Sequence, residues 1–399
     1  YGDHRDLHLS LRRQRQMCIR DSYYDRRALA QDGAPAQLDY RRIDVGRGTG
    51  YFHPKVVLLL VDDDTADNRT RGDDAEWNDD SVRQALIVGI LSANLTRSGW
   101  WENVECAHIE QIKDVEVDTQ RSSFRHDLLS LIRRIRDSAA AEDDQRALEQ
   151  VRKFLLRRTA RHRYSHAKSQ GVFHQRIFCG QDRHNLVDWL EALSLRKLEV
   201  NLEVISPYFD DGGAGPLEEF IDTIKPRETR VFLPTKPDGA ARITNNTYTA
   251  VEQMARWASL PSAVVGRGRT DVAEKLPPRY VHAKVYRLWR QAGPDLLIIG
   301  SPNLTAAGFS HATAGNLEAA FLVDVSGAGH ARRWWLECLD REVERFADTE
   351  SSEHDGLDAV GLALSFQYDW GTGQLSYRLQ PPRVCLLYTS PSPRDGLRS

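Results

Sequence analysis

The sequence predicts a mixed α/β protein of two lobes related by a pseudo-twofold, each a mixed β-sheet flanked by helices. Two observations predict it. Apolar runs of strand length alternate along the chain with segments of helical spacing. One constellation, His-x-Lys, then Ser-x-Asn-Leu-Thr, then Asn-x-Glu, occurs twice, at His53–Glu105 and at His282–Glu318.

The elements follow in order. Val56–Val61 and Ala85–Ser92 read as buried strands, separated by an acidic stretch, Asp62 to Asp80, with the composition of a loop. Phe124 to Arg158 has helical spacing, with Leu128, Leu129, Leu131, Ile132 and Ile135 on one face, and Ala139–Asp144 divides it into two helices. Leu198–Ser206 is strand-like, Leu217–Ile224 helical, Thr229–Leu233 a strand and Tyr248–Ala258 helical. Tyr280–Leu288, Asp295–Gly300 and Ala319–Val325 are three more strands, and Ala331–Ala347 is expected to be a helix with Trp334, Trp335, Leu339 and Val343 inward. Leu364–Leu379 alternates about Gly371-Thr372-Gly373 as a β-hairpin does. The expected division is a first lobe over 23–190, a second over 191–350, and a hairpin or the start of a further domain over 351–384.

Residues 1–22 and 385–399 are expected to lie outside the fold. RRQRQMCIRD at Arg12–Asp21 and CLLYTSPSPRD at Cys385–Asp395 resemble a translated sequencing adapter. With no initiator Met, the remaining segment is expected to be a fragment at both ends, short of the βα units that should precede His53. The net charge is −3 and the tails carry an excess of Arg, so the segment between them is more acidic still and a globally basic nucleic-acid footprint is absent. Cys106, Cys179 and Cys338 are an odd number with no C-x-x-C spacing, which suggests neither a zinc knuckle nor a disulfide framework and suits a reduced, cytoplasmic setting. No apolar run reaches ~18 residues, so no membrane-spanning helix is expected.

The repeat aligns His53 with His282, Lys55 with Lys284, Ser92 with Ser301, Asn94 with Asn303, Gly99 with Gly308, Trp100 with Phe309 and Glu105 with Glu318. Residues two apart in a strand face one side, so each His and Lys project together. A Ser-x-Asn turn after the next strand returns an amide beside them, and a carboxylate beyond it can set the histidine tautomer. Two such halves would place two imidazoles, two ammoniums, two amides and two carboxylates around one phosphate. One imidazole can attack phosphorus while the other protonates the leaving oxygen. The lysines and asparagines would stabilise the non-bridging oxygens without a metal or other cofactor. Ser92, Ser301, Trp100 and Phe309 adjoin this set and are taken as substrate contacts. Packing is the competing role for Phe309, as for Trp101 and Tyr208. The isolated His166-Ala167-Lys168, without the strand or the Ser-x-Asn-Leu-Thr, reads as a solvated helix end, and His162 and His174 as part of a basic surface.

At these residues the chain resembles the phospholipase D superfamily, over most of Tyr51 to Val325. The superfamily's Asp after the Lys is missing in both copies, replaced by Leu60 and Trp289. With Asn in its stead, the pattern is similar to that of tyrosyl-DNA phosphodiesterases and of metal-independent restriction endonucleases, which implies DNA as the partner. The resemblance implies His53 as nucleophile through a phosphohistidine and His282 as acid and then base. It implies Lys55, Lys284, Asn94 and Asn303 as phosphate ligands, with Glu318 orienting His282 and Glu105 orienting His53. A carboxylate beside His53 should raise its pKa. A phospholipid or small-diester substrate, or a non-catalytic nucleic-acid-binding module, are the alternative readings.

Overall fold

The computed structural model describes residues 21–25, 27, 41–46, 50–62, 84–96, 98–113, 122–139, 145–158, 176–180, 185–193, 195–266, 278–309, 315–329, 331–340, 343–347, 363–369 and 374–380. The acidic stretch 63–80, His162, His166, Lys168, His174 and residues 385–399 lie outside them.

In chain order, β1 (Asp21–Asp25) and β2 (Arg41–Val45) pair in parallel. β1 therefore starts two residues inside the segment expected to be appended. β3 (Val56–Asp62), β4 (Gln84–Leu91) and β5 (Ala107–Lys113) form an antiparallel meander. Its alternation fixes its faces: Leu86, Val88 and Ile90 enter a buried core, whereas Leu59 and Ile109 stay exposed on the other side. The same core receives Leu128, Leu131, Ile132 and Ile135 from α1 (Ser122–Ser138) and Leu148, Val151 and Leu155 from α2 (Arg146–Arg158). The two helices fall on either side of the expected break.

The rest of the chain builds one larger sheet. It uses β6 (Arg176–Cys179), β7 (Asn201–Ile205), β8 (Thr229–Phe232), β9 (Arg256–Ser259), β10 (Val285–Trp289), β11 (Asp295–Gly300), β12 (Ala319–Asp324) and β13 (Glu337–Cys338). The order is β13-β9-β8-β7-β10-β11-β12-β6, with β7, β8 and β9 parallel and the remaining pairs antiparallel. Helices α3 (Leu186–Ala192), α4 (Gly215–Ile224) and α5 (Asn245–Glu252) contribute Leu190, Leu217, Phe220 and Val251 to the core on one face. The caps are local: the Asn185 side chain accepts from Asp188 N–H at 2.6 Å, and Thr244 Oγ1 from Thr247 N–H at 3.3 Å. β14 (Ala363–Asp369) and β15 (Gln374–Gln380) form the expected antiparallel hairpin. Among the described residues no helix is long and apolar enough to cross a membrane.

The architecture is mixed α/β, as predicted, with three departures. First, β6 lies in the stretch assigned to the first lobe, yet it is the edge strand of the large sheet beside β12. Ile177 of β6 shares a core with Leu86 and Val88, so the halves join through this strand. The described strands of the first half likewise form an antiparallel meander and a separate parallel pair, where a mixed sheet was expected.

Second, the described residues of the expected helix Ala331–Ala347 are not helical. Trp335 and Leu336 N–H donate to Glu203 Oε1 at 2.6 and 2.8 Å, Trp334 carries Arg230 on its ring at 3.9 Å, and β13 pairs with β9. A buried carboxylate needs such donors, and it draws the backbone out of helical hydrogen bonding. Third, the helix expected over Tyr248–Ala258 stops at Glu252, because Trp257 and Ala258 are taken into the sheet by β8.

Candidate active site

Two connections bring the half-sites together. Phe52 bridges Leu317, with His53 N–H donating to Leu317 O at 3.0 Å and Leu317 N–H to Tyr51 O at 2.8 Å. Val104 bridges Val281, with His282 N–H donating to Val104 O at 2.9 Å and Val104 N–H to Tyr280 O at 2.7 Å. Each His-x-Lys segment thus runs alongside the Asn-x-Glu segment of the other half.

This exchange corrects the pairing expected from sequence. His53 Nδ1 donates to Glu318, 2.8 and 2.9 Å from its two oxygens, and His282 Nδ1 lies 2.7 Å from Glu105 Oε1. Each histidine is oriented by the carboxylate of the opposite copy. Pairing within a copy is impossible because the parallel bridges put the other half's glutamate beside each ring. The carboxylate expected to act on His53 is therefore Glu318, and Glu105 acts on His282.

With Nδ1 committed to a carboxylate, the reactive lone pair of each ring sits on Nε2. Lys55 Nζ lies 2.6 Å from His53 Nε2, and Lys284 Nζ 2.9 Å from His282 Nε2. Both ammoniums are buried, a costly placement that an anionic ligand would offset. Glu318 also accepts from Asn316 Nδ2 at 3.1 Å, while Asn316 Oδ1 accepts from Tyr51 N–H at 2.9 Å.

Glu105 is half-desolvated, which works to raise its pKa. The hydrogen bond and charge of His282, the Ser92 hydroxyl and the Lys284 charge outweigh that and hold it below the ordinary carboxylate range. The sign of the consequence is fixed. A group whose folded pKa is lowered contributes stability above its unfolded value, about 4.3, and loses it as pH falls through the folded one. The melting temperature of the wild type should therefore exceed that of Glu105→Gln at pH 7, and the gap should close on titration towards pH 3. A gap that stayed constant or widened would contradict the pairing.

The asparagines sit on matched turns. Gly99 N–H donates to Thr96 Oγ1 and Gly308 N–H to Thr305 Oγ1, both at 3.1 Å. A Cβ on either glycine would overlap the carbonyl of Asn94 or of Asn303. The repeated Thr and Gly are thus what closes the turn. In the second half the turn is clamped further. Ser206 Oγ accepts from Leu304 N–H at 3.0 Å, Tyr286 Oη donates to Pro302 O at 2.9 Å, and Asp210 accepts from Ala306 N–H at 2.7 Å.

Three expected substrate contacts are placed otherwise. Phe309 is 1% exposed, packed against Phe220 and Tyr286, so it is core. Ser92 and Ser301 are fully buried and join strands: Ser92 Oγ accepts from Cys106 N–H and donates to Glu105, and Ser301 Oγ accepts from Ala319 N–H. Trp100, by contrast, is 52% exposed beside the Asn94 turn, with Trp101 and Leu95 exposed next to it.

The sequence reading missed Asp25. Its carboxylate accepts from Phe52 N–H at 2.7 Å and grips Arg27, which lies over Tyr51, so it fixes the backbone just before His53. Burial works against its charge, yet the Arg27 and backbone hydrogen bonds keep its pKa low. A signal existed: Tyr23-Tyr24-Asp25 echoes Tyr208-Phe209-Asp210, whose Asp clamps the second turn. Among the described residues no cluster of three or more His, Cys, Asp or Glu has a metal-ligating arrangement.

Fold and site together define a mixed α/β protein with two interlocked His-Lys-Glu centres. No protein-family model matches the chain, and no curated protein does. Among solved structures, two mutant forms of yeast tyrosyl-DNA phosphodiesterase are similar, with TM-scores of 0.41 and 0.40 and identities of 9% and 8%. They cover 71% of this chain and 69% and 70% of their own. Polyphosphate kinase from Porphyromonas gingivalis is similar with a TM-score of 0.36 and 10% identity, over 76% of this chain and 36% of that one. At these scores the likenesses carry no functional information.

Proposed function

We propose that the chain is a metal-independent phosphodiesterase acting on nucleic acid, DNA being the expected substrate, through a covalent phosphohistidine. The observation that carries this is the crossed pair of Glu–His–Lys relays, His53 with Glu318 and Lys55, and His282 with Glu105 and Lys284.

In the first step His53 Nε2 forms a bond to phosphorus as the bond to the leaving oxygen breaks. Glu318 holds the ring in the tautomer that exposes this lone pair. The leaving oxygen takes a proton from the protonated Nε2 of His282, and Glu105, kept ionised, pairs with that imidazolium. Lys55, Lys284, Asn94 and Asn303 meet the negative charge on the non-bridging oxygens. In the second step neutral His282 removes a proton from water. The water oxygen bonds to phosphorus and the His53–phosphorus bond breaks. The ammoniums turn from the imidazoles to the phosphate, which resolves the short Lys–His contacts.

Turnover of bis(4-nitrophenyl) phosphate and of single-stranded DNA should persist in excess EDTA. Activity that vanished on chelation and returned with a divalent ion would overturn the metal-independent mechanism.

A further inference from the structure

The half-sites share one feature outside the reacting set. The tyrosine two residues before each histidine carries a guanidinium on its ring: Arg27 over Tyr51 at 3.9 Å, and Arg242 over Tyr280 at 4.6 Å. The two cations differ in their surroundings. Arg27 is neutralised, donating to the Asp25 carboxylate at 2.9 and 2.8 Å from Nε and Nη2, and also to Gly50 O. Arg242 meets no carboxylate among the described residues. Its side chain donates from Nε to Thr235 O at 3.3 Å.

Arg242 is nevertheless held in place. Its N–H donates to Pro234 O at 2.9 Å, Thr235 bridges Ala241, and Ala241 N–H donates to Arg345 O at 2.9 Å. The ring beneath it lies 6.1 Å from the His282 imidazole, and Tyr208 stands edge-on to the same imidazole at 6.0 Å. A fixed guanidinium without a counter-charge among the described residues, one aromatic ring away from a phosphate-handling histidine, has the chemistry of an anion receptor. The two tyrosines offer faces and edges to a nucleoside lying between the two phosphates.

We infer that Arg242, with Tyr280 and Tyr208, forms a second phosphate subsite on the His282 side, which takes the phosphate one nucleotide beyond the scissile one on the leaving fragment. The inference rests on the phosphodiesterase reading and on His282 as the group that protonates the leaving oxygen. It makes the preferred substrate a polynucleotide chain, in place of a diester whose leaving group carries no further charge. The first half, whose equivalent arginine is already paired, makes no such demand. Substrate polarity is thereby fixed by a single uncompensated charge.

The probes are three dinucleotides: thymidylyl-thymidine, and the same compound with a terminal phosphate at its 5′ or at its 3′ end. One phosphorylated isomer should have a KM about tenfold below that of the parent, a gain that shrinks with rising salt. In Arg242→Gln that ratio should fall to about one, and in Arg242→Lys part of it should remain. Because the comparison is a ratio within each variant, a loss of folded protein cancels. Neither isomer gaining, or a gain that survives Arg242→Gln, would overturn the subsite. If no diester is turned over at all, the phosphodiesterase reading falls by itself, and the ratio of Kd values for the same three compounds decides the subsite.

Discussion

His53→Ala should abolish diester hydrolysis, with a loss of at least about 10⁴-fold in kcat, the scale seen when a covalent nucleophile is removed. Removal of this ring takes away the only bond to phosphorus the mechanism provides. It also strands the fully buried Glu318, whose remaining side-chain donor is Asn316. A melting curve must therefore accompany the rate, and His53→Asn, which can still donate to Glu318, separates lost chemistry from lost fold. The complementary variant is His282→Asn. With a 4-nitrophenyl leaving group the first step needs little acid catalysis, while the second still needs a base. A phosphoryl adduct on His53 should then accumulate and be visible by intact-protein mass spectrometry under mild alkaline conditions. Full activity of His53→Ala would sink the mechanism. An adduct found on His282 in His53→Asn, and none on His53 in His282→Asn, would reverse the two roles.

Arg287→Met should destabilise the fold by about 3–5 kcal/mol, the cost of breaking a buried ion pair from one side. Arg287 is fully buried within the large sheet. Nε and Nη2 donate to Asp295 at 2.8 and 2.7 Å, and Nη1 donates to Glu203 and to Arg333 O, both at 2.7 Å. Glu203 in turn holds the Trp335 and Leu336 amides, so the same charge organises the segment that the sequence presented as a helix. Desolvation by burial raises the pKa of Glu203 even with Arg287 and those two amides in place. Without the guanidinium, two carboxylates remain buried together. The loss measured by urea unfolding should be largest at neutral pH and shrink towards pH 4, where protonation relieves them. A cost below about 1 kcal/mol would show that water reaches the site or that the sheet rearranges.

Much of this protein was determined by local sequence. The strands β3, β4, β7, β8, β11 and β12 and the helices α1, α2 and α4 follow from apolar spacing alone, because each carries an apolar run or stripe that must be buried whatever its neighbours are; β11 is buried along its whole length. The reacting set is also local in type: His-x-Lys on an extended segment, and an Asn on a turn that only a Gly five residues later allows. Repetition of the set identified it.

The tertiary structure decided what depends on contact between distant segments. Periodicity within a segment does not say which glutamate lies beside which histidine; the bridges Phe52–Leu317 and Val104–Val281 do, and they cross the copies. Phe309 and Trp100 occupy the same place in the repeat, yet Phe220 and Tyr286 cover one and not the other, so one is core and one is exposed. The stretch after Ala331 has helical spacing, but the amide hydrogen bonds to Glu203 and pairing with β9 outweigh a propensity of a few tenths of a kcal/mol per residue. Arg27 and Arg242 show the same limit: both lie over a tyrosine, and among the described residues a carboxylate stands beside Arg27 alone, a difference that the fold fixes.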